Sequence, residues 1–560
     1  MKLWQKHWYY AVWVILIGIF AVLHALNLRA DFPNHSPWYM DWAKYTDEGW
    51  YGNAAIRAHL FGNWYLQGDF NPAPAVPVWP FLEWVLFFFT GVTVEAARGL
   101  AISFFFLSLV LSYTLLRTRG PRWVALVALT MLVTSPFLYC FSRLAILEPM
   151  LTTLLLGALN LAVQLPILRR PAWASAGIGL LFTLMMLTKA TAVFLLPALG
   201  WAMVLPLWRS RRLALGASQG GLGPLGRRLI LRCISVAAGA FAASFGLWMA
   251  LVVRFGLLTD YEYLFLVNKY PKPMQFSWPL ISLWWSFHGG LWVDTILVPL
   301  AGAVLIAAAL AWRGGWGRRL LLDPVFGASV LAVGGYILFM TYQDHPQPRY
   351  YAVVAFFSFF VVARGAQVLV EEADRASEFP DEKRGARRGP ARWLGWAVLG
   401  LTGLAIGMNG ARTLDYAMDP EYTFVDAAAR MTRYIDQHPN GKRLLLSVSG
   451  DEITLVTHLP TINDLFVTPS PAIPDLAAKL GYYQPGWYAT WNVLDPGMLE
   501  DIHSRYSVEQ VARFRAFDDP TRNVLVLFKL HPWANGQVYD PADENLRVQL
   551  PEDKFDIPLK

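Results

Sequence analysis

Four short stretches of this chain place ionisable residues against strongly apolar surroundings. Asp47 and Glu48 stand together in Tyr45-Thr-Asp-Glu-Gly-Trp-Tyr-Gly-Asn-Ala-Ala55. Arg143 and Glu148 bracket an apolar run in Ser142-Arg-Leu-Ala-Ile-Leu-Glu148. Lys189 lies in Thr188-Lys-Ala-Thr191, and Arg349 in Tyr342-Gln-Asp-His-Pro-Gln-Pro-Arg-Tyr-Tyr351. Carboxylates can carry protons and cations can hold anions, so such groups on the rim of apolar segments mark candidate chemistry. Arg349 opens a helix, whose positive end disfavours a cation by about a few tenths of a kcal/mol. A bound anion would relieve that conflict and use the free helix N–H groups. Plainer readings stand beside these. Asp47 also reads as a solvated cap of a short amphipathic helix over 48–62, Glu148 as a helix-start acid, and Arg143 and Lys189 as snorkelling side chains. Arg143 and Glu148 are five apart and cannot face each other on one helix, so each invites a partner from elsewhere.

The elements that position these residues are membrane spans. Of 560 residues, 55% are hydrophobic and only 16% charged, where about 25% charged is usual for a soluble domain. That composition excludes disorder, coiled coil and a disulfide-stapled mini-domain. Eleven segments have the roughly 20 mostly apolar residues that a crossing needs: 8–28, 98–116, 123–141, 145–166, 172–188, 191–208, 230–253, 290–312, 325–342, 350–367 and 393–411. The first is long for a signal peptide and lacks a convincing cleavage site, so it reads as a retained anchor. A shorter apolar stretch from Val78 to Thr90, flanked by Pro77 and Pro80, reads as a re-entrant or interfacial helix. One set of inter-span loops carries 23 Lys and Arg against ten in the opposite set. The richer face is cytoplasmic by the positive-inside rule. This places the N-terminus inside and loops 29–97 and 254–289 outside, together with the C-terminal tail.

Residues 1–411 carry a net charge of +14 and residues 412–560 one of −7, so the two parts are differently built. The tail reads as a soluble α/β domain, with strands at 443–449 and 523–529 and helical patterning between them from Ser507 to Phe517. No nucleic-acid footprint is present. The Gly-rich stretch 216–226 lacks the Lys-Ser/Thr of a phosphate-binding loop and reads as a linker. Cys140 and Cys233 fall near opposite faces of the bilayer, so no disulfide is expected.

The pattern resembles the GT-C integral-membrane glycosyltransferases of the bacterial family 39 type, a group that includes protein O-mannosyltransferases and lipid A aminoarabinose transferases. Asp47-Glu-Gly-Trp-Tyr51 is similar to the family's acidic first-loop motif. Ser142-Arg-Leu-Ala-Ile-Leu-Glu148 is similar to its Arg-x4-acidic motif, with Glu where Asp is common. Leu187-Thr-Lys-Ala190 is similar to a Leu-Thr-Lys-Gly turn, and Pro348-Arg-Tyr350 to the Pro-Arg-Tyr that opens a late span. The resemblance spans about 300 residues and does not cover the tail. Two departures stand out. Asn71-Pro-Ala-Pro-Ala-Val-Pro77 occupies the place where relatives often put Lys or His beside Pro-Pro. Trp284-Trp-Ser286 lacks the Asp of the oligosaccharyltransferase Trp-Trp-Asp motif.

The resemblance implies a transferase that takes a sugar from a polyprenyl-phosphate donor on the external face. Its acceptor would be a lipid, glycan or protein, with membrane lipids around it. Asp47 is then the base, and Glu48 supports it or binds a metal or the acceptor. Arg143, Lys189 and Arg349 are the candidate phosphate ligands, with Tyr51, Glu148, His345 and Tyr350 in support. Glu148 would orient Arg143 or join Asp47 and Glu48 around a divalent cation such as Mg or Mn. A single displacement would invert the anomeric carbon. An Ala-, Arg- and Trp-rich composition suggests the bacterial inner membrane, with the tail in the periplasm. Two rivals remain: a transporter or flippase of lipid-linked sugars, and a non-catalytic scaffold.

Overall fold

The structure is a computed structural model. It describes residues 8–31, 33, 36, 38, 41–214, 224–264, 280, 283–284, 287, 289–341, 347–378, 389–491, 496–517 and 523–533. His345, Lys269, Lys272, His288, most of the Gly-rich stretch and part of the Trp284-Trp-Ser286 motif lie outside the described residues.

The bundle begins with α1 (Trp8–Ala25), α2 (Asp47–Phe61), α3 (Val78–Thr90) and α4 (Val94–Arg117). It continues with α5 (Arg122–Thr134), α6 (Pro136–Arg143), α7 (Leu147–Gln164), α8 (Pro171–Thr188), α9 (Leu196–Ala214) and α10 (Pro224–Arg254). It is completed by α11 (Leu258–Glu262), α12 (Leu297–Leu310), α13 (Trp316–Leu321), α14 (Pro324–Thr341), α15 (Tyr351–Glu378) and α16 (Gly389–Met418). Among the described residues, eight helices are long and apolar enough to cross a membrane, and the bent pair α5–α6 adds a ninth. The remaining two expected segments, 8–28 and 290–312, hold the shorter apolar helices α1 and α12, which are not among those nine. The chain is a polytopic helical membrane protein, with α3 as the expected 13-residue helix.

The segment 123–141 does not form one straight span. Pro136 cannot continue the ladder from α5, and Ser135 caps the new helix by accepting from the Leu138 N–H at 2.9 Å. The two halves bend by 67°, as a proline at a helix start dictates. At the centre stands α15, apolar on every side, with 94% of its membrane window buried. A helix apolar all round belongs inside a bundle; Phe356, Phe357, Phe359 and Phe360 fill its surroundings. Its N-terminus, preceded by the 3-10 turn Pro348–Tyr350, is therefore held firmly. Cys140 and Cys233 are buried free thiols.

The tail comprises α17 (Thr423–Gln437), β1 (Lys442–Leu446), α18 (Gly450–Thr457), β2 (Thr461–Ile462), α19 (Leu476–Tyr483), β3 (Pro485–Trp491), α20 (Pro496–His503), β4 (Tyr506–Arg515) and β5 (Val524–Pro532). Its five strands are ordered β2-β1-β3-β5-β4. β1 runs parallel to β2 and β3, whereas β5 is antiparallel to β3 and β4. Both sheet faces are covered: Phe424, Met431, Trp487 and Leu527 on one, Leu446, Leu480, Tyr488 and Phe528 on the other.

The expected helix from Ser507 to Phe517 is instead strand β4. A register shift between Gln510 and Ala512 marks a bulge. The bulge turns the strand over, so Tyr506 and Val508 enter one core while Ala512, Phe514 and Ala516 enter the other. One extra residue converts an alternation of two into a spacing of three, which imitates a helix.

Candidate active site

The site is assembled where α2 meets the start of α15. Asp47 and Glu48 occupy the first turn of α2, where the helix dipole favours acids. The expected amphipathic surface helix is instead wedged between bundle and tail, with nine residues of α2 buried, Asp47 and Glu48 among them. A solvated cap is therefore excluded: Asp47 is 3% exposed.

Asp47 Oδ1 accepts from Thr46 Oγ1 at 3.0 Å, and its Oδ2 lies 2.6 Å from Arg349 Nη2. Arg349 is also held by Asp41, which accepts its backbone N–H at 2.8 Å and faces its Nη1 at 2.5 Å. The charge conflict at the start of α15 is thus relieved by an internal carboxylate. Glu148 Oε1 forms an ion pair with Lys189 Nζ and stands 3.9 Å from Arg349 Nε. Lys189 and Arg349 both approach the Tyr350 ring, at 4.5 and 5.2 Å from its centroid. Tyr51 lies one helical turn beyond Asp47, within electrostatic range of Asp47, Arg349 and Glu148.

Burial pushes the Asp47 carboxyl above the usual carboxylate range, opposed in part by Arg349. Burial raises the Tyr51 hydroxyl as well, and the neighbouring Asp47 adds to the effect. A carboxyl raised this way, facing two cations, suits proton transfer next to an anion.

The fold brings together Asp47, Tyr51, Glu148, Lys189, Arg349 and Tyr350. It does not bring Glu48 or Arg143 to them. Glu48 is fully buried on the other side of α2, in a fork with Arg98 of 2.8 and 2.7 Å, and it accepts the Ala145 N–H at 2.7 Å. Arg143 does not pair with Glu148. The bend before α6 carries it towards the end of α1, where it covers the Tyr139 ring and donates to the Asn27 carbonyl at 2.6 Å. It lines a small crevice there with Asp31, Arg98 and Glu421.

Among the described residues, no three His, Cys, Asp or Glu side chains gather to hold a metal ion. Asp47 and Glu148 face Arg349 and Lys189, and Glu48 faces Arg98, so the three expected metal ligands do not converge on one ion.

The sequence reading missed Asp41, which carries no signal beyond being an acid six residues before Asp47. It also missed Arg57 and Arg98, counted there only as loop charges. Arg57 donates to the Thr461 carbonyl at 2.5 Å and faces Asp451 at 3.3 Å and Asp69 at 3.4 Å.

An apolar cavity of about 620 Å³ lies against α2 and α8, two of the elements that carry or adjoin the cluster. Ala54 and Ala58 of α2, Pro77, Phe81 and Trp84 of α3, Leu187 of α8 and Trp248 of α10 are among its walls. The proline-rich stretch contributes Ala73 and Pro74 to this wall, so the place where the motif resemblance leads to a basic residue is apolar here.

No protein-family profile and no curated protein matches the sequence. Solved structures do match in fold. ArnT from Cupriavidus metallidurans in the apo state aligns with a TM-score of 0.53 at 13% identity, over 92% of this chain and 98% of that one. The same protein bound to undecaprenyl phosphate gives 0.53 over 93% and 98%. The oligosaccharyltransferase AglB from Archaeoglobus fulgidus gives 0.47 at 13% identity, over 96% and 75%. The ArnT alignment includes the tail, and with it the chain has the GT-C fold that its motifs resemble.

Proposed function

We propose that this chain is a membrane glycosyltransferase that moves a sugar from a polyprenyl-phosphate donor to an acceptor hydroxyl on the external face. The observation that carries the reading is the meeting of Asp47, Arg349 and Lys189, with an apolar cavity walled by the same helix α2 and by Leu187, two residues before Lys189. A polyprenyl donor has the same two halves, an anionic head and a branched hydrocarbon chain. The shared fold with ArnT, solved with undecaprenyl phosphate, supports the same assignment.

In this reading the hydrocarbon lies along Trp84, Leu187 and Trp248, and the phosphate meets Lys189 and Arg349. The acceptor oxygen attacks the anomeric carbon as the bond from that carbon to the phosphate oxygen breaks. Asp47 takes the acceptor proton, and the two cations stabilise the charge that remains on the leaving phosphate. One displacement inverts the anomeric centre. Arg349 offers a planar fork able to bind two phosphate oxygens. Glu148 holds Lys189 in place, and Tyr51 borders the carboxyl of Asp47. We place the site outside the cytoplasm of a bacterial inner membrane, from the loop charge bias, and treat 412–560 as a separate domain.

The test uses purified protein, labelled polyprenyl-phosphate sugars and membranes from a strain lacking the protein. Transfer of label by the wild type and its loss in Asp47→Asn support the reading. Label that crosses the bilayer unchanged would establish a flippase, and no binding of any polyprenyl phosphate would remove the proposal.

A further inference from the structure

The first turn of α2 is gripped from three directions. Asp47 meets Arg349 of the turn that precedes α15, and Glu48 meets Arg98 of α4. From the tail, Glu452 of α18 accepts the Gly49 N–H at 2.8 Å with its Oε2. The two backbones touch at this point. A Cβ at position 49 would lie 2.2–2.4 Å from backbone atoms of Asp451 and Glu452, so only glycine fits. Further along α2, Arg57 faces Asp451 and donates to the Thr461 carbonyl. Leu455 of α18 joins Ala55 and Ile56 in one apolar cluster. Asp31 of the first loop in turn caps α17, accepting the Phe424 N–H at 2.7 Å.

We infer that the C-terminal domain belongs to the catalytic apparatus, with Glu452 as a positioning residue that sets the angle at which α2 presents Asp47. Gly49 and Asp47 share one turn of a rigid helix. The carboxyl sits roughly 5–6 Å from the helix axis, so a 20° roll would displace it by about 2 Å. A misplacement of about 1 Å can cost roughly 100-fold in rate. The bond from Glu452 goes to a helix N–H that has no partner within the helix, so its loss frees the turn directly. This inference rests on Asp47 being the base, and the experiment separates the two claims.

Full-length Glu452→Ala and Glu452→Gln are compared with wild type in nanodiscs, by transfer kinetics and by hydrogen exchange across 47–53. The amide oxygen of Gln can still accept the Gly49 N–H. Glu452→Ala is expected to lower kcat by about 100-fold with donor KM within about twofold, and to speed exchange at Gly49. Glu452→Gln is expected to restore kcat to within about threefold of wild type and slow exchange again. Unchanged kcat in Glu452→Ala would overturn the inference, as would parallel losses of kcat, donor affinity and melting temperature in both variants. If the wild type itself transfers nothing, the proposed function fails while the exchange data still decide the clamp: unchanged exchange at Gly49 in Glu452→Ala overturns it.

Discussion

Two charged networks meet on α2, and they are built to opposite rules. The network of Glu48 and Arg98 is saturated: the guanidinium forks onto the carboxylate and also donates to the Leu28 and Ala30 carbonyls at 2.9 and 2.6 Å. The network of Asp41, Asp47, Glu148, Lys189 and Arg349 is not. Among the described residues, Glu148 Oε2 and Arg349 Nε have no hydrogen-bond partner. A buried group left unmet costs about 1–3 kcal/mol. The saturated network can only hold two elements together, whereas the unsaturated one has hydrogen-bonding capacity left over, as the proposed donor site requires. Adjacent residues with the same chemistry, Asp47 and Glu48, therefore stand in networks of different kinds.

The sharpest way to break this comparison is to neutralise each acid in turn. Asp47→Asn should lower transfer by about 10²- to 10⁴-fold, the range of a lost general base, with insertion and melting temperature retained. Loss of folding in that variant would merge the two networks into one structural role. Glu48→Gln should do the reverse: it leaves Arg98 buried without its counter-charge, for a loss of about 3–5 kcal/mol in a stability assay. Activity of the surviving folded fraction should stay close to wild type.

Arg349→Lys keeps the charge but loses the fork that spans Asp41 and Asp47. Donor KM should rise about tenfold or more, with a smaller effect on acceptor KM. An equal rise in both would point to disturbed packing at the start of α15. The pH profile refines the site further. Because burial raises the Asp47 carboxyl and the base must be ionised to accept a proton, the rate should fall as pH drops through that raised value. The acidic limb should lie above the ordinary carboxylate range, and its absence would remove Asp47 as the base. The smallest effect is expected for Arg143→Ala. Its guanidinium lies away from the cluster, so donor KM should change by less than about threefold. A large rise would restore Arg143 to the phosphate site.

Much of this was legible in the residues. Apolar runs of about 20 residues have one stable outcome in a bilayer, which is why the expected spans appear as helices. Lys189 and Arg349 were found because each interrupts or opens such a run. The reading failed where a local pattern had two solutions. Ser507 to Phe517 has a spacing of three that fits either a helix or a bulged strand, and only pairing with β5 selects the strand. It failed too where a bend redirected a side chain: Arg143 follows the motif, but Pro136 turns its helix away from Glu148.

The sequence by itself determined the membrane-spanning architecture, the presence of a second and oppositely charged part, and the four charged motifs. These follow from hydrophobicity and local spacing, which act over a few turns of chain. Only the tertiary structure decided which charges meet. Asp41 and Arg349 are 308 residues apart, and Glu452 and Gly49 are 403 apart. Such partners are chosen by the cost of burying a lone charge or an unpaired N–H, and that cost exists only once the chain has closed around them.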